Sequence, residues 1–459
     1  MRISSRFRKK TSILTLAICL LSFTTRGISQ EISAIDTVSL AEEVRQEFLR
    51  SWNAYKQYAW GHDELRPLSK SAYDWYSTPF LMTPVDALDT MILMGFKEEA
   101  DSTREYIATH LSFDKDVYVK NFEFTIRFLG GLVSSYQLTR DKRLLRLAQD
   151  LGNRLLPAFN SRTGMPYVYV NLKTGAVRDS ISNPAEIGTL LLEFGTLSTL
   201  TGDSRYLRAA KYALLQLYSL RSGIGLVGDA IDVTTGEWIG TDSHIGGAID
   251  SYYEYLLKCA LLFNDEECRM MWRKSIASVR GYLPDRAVSG KWYGHADMFT
   301  GKRTKTVTGA LDAFFPAVLV LNGDIDEATE LEDAFVAVWK QWGVEPDGFD
   351  YSRMTVVDSA YYLRPEIIES AYYLFAKTGN PRFRRMGEEM FESLKAICRT
   401  DEAYAELTSV VTREKGDRMQ SFFLAETLKY LYLLFAPPET LSFKNNIFNT
   451  EAHPIRKLW

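Results

Sequence analysis

The chain has 459 residues, 46% hydrophobic and 24% charged, the composition of a globular protein long enough for a sizeable core. Its formal charge of −4 and the lack of a sustained Lys/Arg run argue against a nucleic-acid partner, which needs a basic stripe to neutralise phosphates. A neutral or sugar-like substrate fits that balance better.

At the N-terminus, Arg2, Arg6, Arg8, Lys9 and Lys10 precede an apolar run from Ile13 to Phe23, with the small residues Gly27 and Ser29 behind it. This is the pattern of a secretory signal peptide over residues 1–29. The apolar run is short for a membrane span of ~20 residues. Leu16 to Cys19 reads less well as a lipoprotein box, because Ile18 is bulky where a small residue is wanted. The mature chain, 30–459, is expected to be secreted or periplasmic, monomeric and without stable membrane insertion. Cys259 and Cys398 lie in apolar helical sequence where buried free thiols are expected, although one pair among Cys259, Cys268 and Cys398 has the option of bridging in an oxidising compartment.

From about Ala41 onward no linker interrupts the chain, and the apolar residues recur at three- and four-residue spacing. The pattern runs from LAEEVRQEFLRSWNAYKQYAW through VDALDTMILMG, LLRLAQDLGNRLLPAF and SRYLRAAKYALLQLYSL to QSFFLAETLKYLYLLF. It gives about fourteen helices, mostly paired through TGD-, NGD- or TGN-type stops at 201, 322 and 378. Without a repeat period of the solenoid kind, the expected fold is all-α, a closed α/α toroid of about seven hairpins in a single domain. MPYVYVNLKTGAV and GLVGDAIDVTTGEWIGTD are expected to form small β-hairpins over one end. The acidic stretch GDIDEATELED at 323–333 lacks the spacing of a calcium loop and reads as a turn followed by a solvated helix face.

Acids inside aromatic helical sequence carry the functional signal. NFEFTIRFLGG holds Glu123 and Arg127, GGAIDSYYEYLLK holds Asp250 and Glu254, YYLRPEIIESAYYLF holds Glu366 and Glu369, and SFFLAETLKYLYLLF holds Glu426. Each has a structural alternative: Glu123 and Arg127 suit an intrahelical ion pair, Asp250 and Glu254 a half-exposed face, and Glu366 after Pro365 a dipole-complementing first turn. Several such acids together suggest one shared pocket. Opposite-face attack on an acetal needs one protonated carboxyl and one carboxylate, roughly 6.5–9.5 Å apart in an inverting glycosidase. The five histidines are scattered and form no HExxH pair, which makes zinc unlike the expected cofactor.

Taken together, AYKQYAWGHDELRPLS, VDALDTMILMG, NFEFTIRFLGGL, DSYYEYLLK, LRPEIIESAYYLF, FFLAETLKYLYLLF and FNTEAHP resemble glycoside hydrolase family 47, the class I α-mannosidases, in the family's order over nearly the whole mature chain. GLVGDAIDVTTGEW and LDAFFPAVLVLNGDIDEA look more like the ER degradation-enhancing branch than the processing enzymes. The resemblance implies an (α/α)7 barrel, a bound Ca²⁺, and inverting exo-hydrolysis of α-1,2-linked mannose from a mannose-containing oligosaccharide or N-glycan. It assigns the general acid to Glu123, a second pocket acid to Asp250 and the general base to Glu366. Thr450 in FNTEAHP carries over as the calcium ligand, with Glu369, Glu426 and Glu451 holding its waters or sugar hydroxyls. Arg127, Arg364 and Phe422 match residues that position the acids and stack on the sugar. The chain departs from the family pattern at Gln420 and at Gly309–Ala310. A glycan-binding protein with weak hydrolysis is the alternative reading.

Overall fold

A computed structural model describes residues 35–457; the expected signal peptide lies outside them. Seven helices form a closed inner ring: Met82–Leu93, 121–139, 184–201, Asp250–Phe263, Phe315–Asn322, Glu366–Thr378 and 423–435. Each packs on the next, and the last returns to the first. Seven more, Thr37–Tyr58, Lys97–His110, Lys142–Leu155, Ser204–Ser219, Glu266–Tyr282, Ile325–Trp342 and Pro381–Ile397, wrap the outside, each against an inner partner. This is the (α/α)7 barrel.

The two rings differ in sequence for a physical reason. An outer helix touches protein on one side only, so Lys142–Leu155 buries just Leu144, Ala148, Leu151, Gly152 and Leu155, one stripe at helical spacing. An inner helix is enclosed, so Asp250–Phe263 buries 11 of its 14 residues. The stops between them do two jobs. Gly202 and Gly379 end their helices at positive φ, and the next residue, Asp203 or Asn380, caps the following outer helix through its side chain. Arg140–Asp141 and Asn264–Asp265 repeat the device without glycine.

The loops expected to be hairpins form small antiparallel sheets: Tyr118–Lys120 with Tyr169–Asn171 and Val177–Arg178, and Ile181–Ser182 with Ala230–Asp232 and Trp238–Gly240. Two expectations need correction. Cys259 is not a free thiol but bridges Cys268, because the two-residue turn between their helices brings the Cα atoms to 6.1 Å; Cys398 is free and buried. The 323–333 segment is not wholly solvated either, since Glu332 falls on the same inward stripe as Ala328, Leu331 and Phe335 and is fully buried.

A C-terminal hairpin, Asn446–Phe448 with Pro454–Arg456, plugs the ring. At its tip, Asn449 Nδ2 donates to the Ile126 carbonyl at 2.9 Å and to Glu193 at 2.8 Å, and Thr450 N–H donates to Tyr255 Oη at 3.2 Å. His453 Nδ1 meets Asp89 at 2.7 Å, and Lys429 donates to the Ala452 carbonyl at 2.6 Å. The tip is thereby tied to five inner helices. Gly130 and Gly131 make room for it, because a Cβ at either would stand 2.6 Å from Asn449 Nδ2 or 3.1 Å from the His453 ring. Lys429 also pairs with Asp89 at 2.8 Å, both fully buried. Burial alone would raise the Asp89 pKa, but Lys429 and His453 hold it down to about 2. Lys429→Met leaves that charge with less compensation and should cost about 3–5 kcal/mol in chemical denaturation. A loss below about 1 kcal/mol would mean that the plug's anchor is not this pair.

Candidate active site

The plug turns the ring into a blind cavity of about 350 Å³. Into it project Glu123 and Arg127 from helix 121–139, Asp250 and Glu366 from the first positions of their helices, Phe422 and Glu426 at the start of the last inner helix, and Thr450 and Glu451 from the plug. Arg364 lines it as well. A smaller space of about 40 Å³ beneath shares Asp250, Glu366, Glu426 and Thr450 and adds Glu254 and Glu369. All ten residues expected at the site therefore meet at one end of the barrel.

Local backbone irregularities aim these side chains. Phe124–Leu129, directly after Glu123, and Phe423–Thr427, which contains Glu426, are π-helical turns, a form found mostly as single turns at functional sites. Ala248, Leu363 and Ala452 hold positive φ of 76°, 62° and 55° just beside Asp250, Arg364 and Glu451. Each such non-glycine conformation costs about 1 kcal/mol, which the surrounding packing must offset.

Carboxylates outnumber cations here. Arg127 Nε donates to Glu123 at 2.9 Å, its Nη1 pairs closely with Glu451, and Asp86 lies 3.6 Å away. The expected intrahelical pair thus exists, as one arm of a buried guanidinium hub. Arg364 reaches Asp347 at 3.5 Å, and Lys258 pairs with Glu254. Burial raises both Asp250 and Glu366 to about 7, against the pull of Ser251 on the first and Arg364 on the second. Burial also raises Glu369, Glu426 and Glu451, and repulsion among neighbouring acids adds to it. Tyr430 Oη donates to Glu369 at 3.0 Å, whereas Glu366 Oε2 is buried without a hydrogen-bond partner.

The cavity opens into a funnel of about 380 Å³ lined by Tyr73, Trp75, Tyr362, Arg418 and Gln420, with Glu123, Arg127, Arg364 and Phe422 shared between the two spaces. The Phe422 ring is flanked by two guanidinium groups, at 5.7 Å for Arg127 and 5.8 Å for Arg364. Gln420, where the chain departs from the family pattern, donates to Glu406. Gly309, the other departure, donates its N–H to Asp312 at 2.9 Å, and burial raises Asp312 to about 7.

Sequence reasoning missed Asp86, Asp89 and Asp312. VDALDTMILMG and LDAFFP show the same anomaly as the other helices, acids inside apolar sequence, so the signal was present. It missed the funnel aromatics because isolated Trp and Tyr in loops carry no periodicity.

The glycosyl hydrolase family 47 model matches residues 47–457. Alpha-mannosidase I MNS5 of Arabidopsis thaliana is 38% identical over 96% of this chain and 81% of its own length. ER degradation-enhancing alpha-mannosidase-like protein 2 of Homo sapiens is 37% identical over 92% of this chain and 78% of its own. The structure superposes on alpha-1,2-mannosidase from Trichoderma reesei with a TM-score of 0.85 and 29% identity, covering 92% of this chain and 99% of the other. The chain therefore belongs to glycosyl hydrolase family 47 and is a glycosidase of the α-mannosidase kind.

Proposed function

We propose that the protein is a calcium-dependent, inverting exo-α-1,2-mannosidase that removes terminal α-1,2-linked mannose from mannose-rich glycans. The observation that carries this reading is the convergence of Glu123, Asp250 and Glu366, from three inner helices, on a cavity closed at one end by the 449–453 plug. A blind cavity admits a chain end and excludes a chain middle, which supports exo cleavage.

The acids have different outlooks. Glu123 borders both cavity and funnel, whereas Glu366 borders the cavity and the space beneath it. With the terminal mannose in the cavity and the leaving sugar in the funnel, Glu123 gives its proton to the glycosidic oxygen as the bond to the anomeric carbon breaks. Glu366 takes a proton from the water that attacks that carbon from the opposite face. Asp250 shares the acid's work. Arg127 holds Glu123 in place, and Phe422 offers its ring to the sugar.

The residues lining the cavity and the space below it fit a hard cation. Their carboxylate, hydroxyl and carbonyl groups offer oxygen donors, with no His or Cys among them, and the acids outnumber the lysine and arginine charges beside them. Thr450, through its hydroxyl and carbonyl, would hold Ca²⁺, with waters held by Glu369, Glu426 and Glu451. When bound, the ion would supply a Lewis-acidic centre that accepts sugar hydroxyls as ligands and favours a distorted ring. A glycan-binding role without hydrolysis needs hydroxyl contacts but no such cluster of buried acids, and we do not favour it.

The basic and apolar stretch at residues 1–29 and the Cys259–Cys268 bridge support export to an oxidising compartment, where the enzyme would act as a monomer. A panel of α-1,2-, α-1,3- and α-1,6-mannobioses tests the linkage: the α-1,2 isomer should be hydrolysed about 100-fold faster or more, with free mannose as product. Faster α-1,6 cleavage, or release of mannobiose from longer glycans, would contradict the proposal.

A further inference from the structure

Away from the acidic cavity, two histidines far apart in sequence come together. Asp242–Ser243 pairs with His295–Asp297, which pairs in turn with Arg303–Lys305. His244 follows the end of the first strand, and its ring stacks on that of His295, with centroids 4.2 Å apart and planes 23° apart. His295 Nδ1 meets Asp242 Oδ2 at 2.7 Å. One ligand atom from each of Asp242, His244 and His295 lies within 4.8 Å of the others. Lys305 Nζ reaches the same carboxylate at 2.8 Å, and the Thr304 hydroxyl donates to its other oxygen at 2.6 Å.

A stacked ring beside a His–Asp hydrogen bond explains His295 and Asp242 but leaves His244 unexplained. His244 is 7% exposed, and its Nδ1 is buried with no hydrogen bond of good geometry, only the Gly246 backbone nearby. A neutral imidazole carries the lone pair that a metal requires. Asp229 adds negative potential at His295, and its Oδ1 is buried without a partner.

We propose that Asp242, His244 and His295 form a second metal site, for a divalent transition ion of the zinc type, separate from the all-oxygen cavity floor. Two imidazoles and a carboxylate are the donor set such ions take, with an open position for water. Bonds of about 2.0–2.1 Å place tetrahedral ligand atoms about 3.3 Å apart, so the group contracts slightly on binding. The Lys305 ammonium, on a side chain 58% exposed, swings away to solvent as the ion replaces it. The site would brace the segment that carries Asp250. From His244 the chain runs through Gly246, whose carbonyl accepts the Asp250 N–H at 2.9 Å and whose missing Cβ leaves space for the Asp312 carboxylate.

The test uses the mature chain stripped with chelator, returned to excess Ca²⁺ and titrated with Co²⁺ as a spectroscopic probe. One equivalent should produce visible d–d bands of low-coordinate Co²⁺, which Zn²⁺ abolishes and further Ca²⁺ does not. His295→Gln and Asp242→Asn should each weaken Co²⁺ binding at least about tenfold. Lys305→Met, at an exposed position that leaves the fold undisturbed, should tighten it several-fold by removing the competing cation. Absence of the bands in the folded parent chain, or an affinity unchanged in both His295→Gln and Lys305→Met, would overturn the proposal whatever the outcome for mannosidase activity.

Discussion

Glu366→Gln should lower the turnover of α-1,2-mannobiose by about 10³-fold or more, since the substitution keeps the shape of the side chain and removes the carboxylate proposed to accept the proton. Its effect on stability should be small or of opposite sign. Glu366 is a buried carboxyl whose pKa burial has already raised to about 7, and Asp250 and Glu426 share its surroundings. A neutral amide there relieves repulsion, so the melting temperature should stay level or rise while activity vanishes. A merely structural residue would not separate the two readouts. Glu123→Gln should behave differently with leaving group: a large loss on mannobiose, where the departing oxygen needs a proton, and a much smaller one on α-mannosyl fluoride, where fluoride departs unaided. Glu366→Gln should lose activity on both substrates. Retention of more than about a tenth of parent turnover by Glu366→Gln would remove it from the role of base.

Removing divalent cations should abolish mannose release and lower the melting temperature. An ion present at 100 times its dissociation constant contributes about 2.7 kcal/mol, and for a body of this length that is a shift of about 3 °C. The pH dependence should change with it. Asp250 and Glu366 have folded pKa values of about 7, above the ordinary carboxylate range of about 4. Between those values the folded chain holds protons that the unfolded chain has released, so the contribution to stability is fully present below about pH 4 and is lost as pH rises to about 7. Glu369, Glu426 and Glu451 act in the same direction. The stripped protein should therefore lose stability across that interval, and Ca²⁺ should flatten the loss because a bound cation favours the ionised carboxylates. A stripped protein whose melting temperature is flat or rises from pH 4 to 7 would speak against a shared acidic floor.

The helix stops and the buried acids made much of this architecture legible in advance. Gly202–Asp203 and Gly379–Asn380 announce a left-handed helix end followed by a cap, so the hairpin count followed from local chemistry. Glu123, Asp250, Glu366 and Glu426 stood out because a carboxylate inside aromatic helical sequence needs compensation, and they do share one cavity. What stayed hidden depends on contacts between distant segments. FLGGL reads as an ordinary helix until Asn449 and His453 are seen occupying the space beside Gly130 and Gly131. The π-helical turns at Phe124–Leu129 and Phe423–Thr427 have no signature in apolar periodicity. His244 and His295 come together only because Asp242–Ser243 pairs with His295–Asp297, and that long-range pairing is invisible to spacing. Cys259–Cys268 was obscured by the opposite habit, since apolar helical surroundings favour reading a cysteine as a free core residue.

The most direct test of the central claim follows the first sugar released from α-1,2-mannobiose by proton NMR, in the presence of Ca²⁺ and again after chelation. If Glu123 and Glu366 act from opposite sides of a mannose held over the Thr450 floor, β-mannose appears first, mutarotates to the equilibrium mixture, and fails to appear without the cation. Initial release of α-mannose, or undiminished release in chelator, would contradict the account.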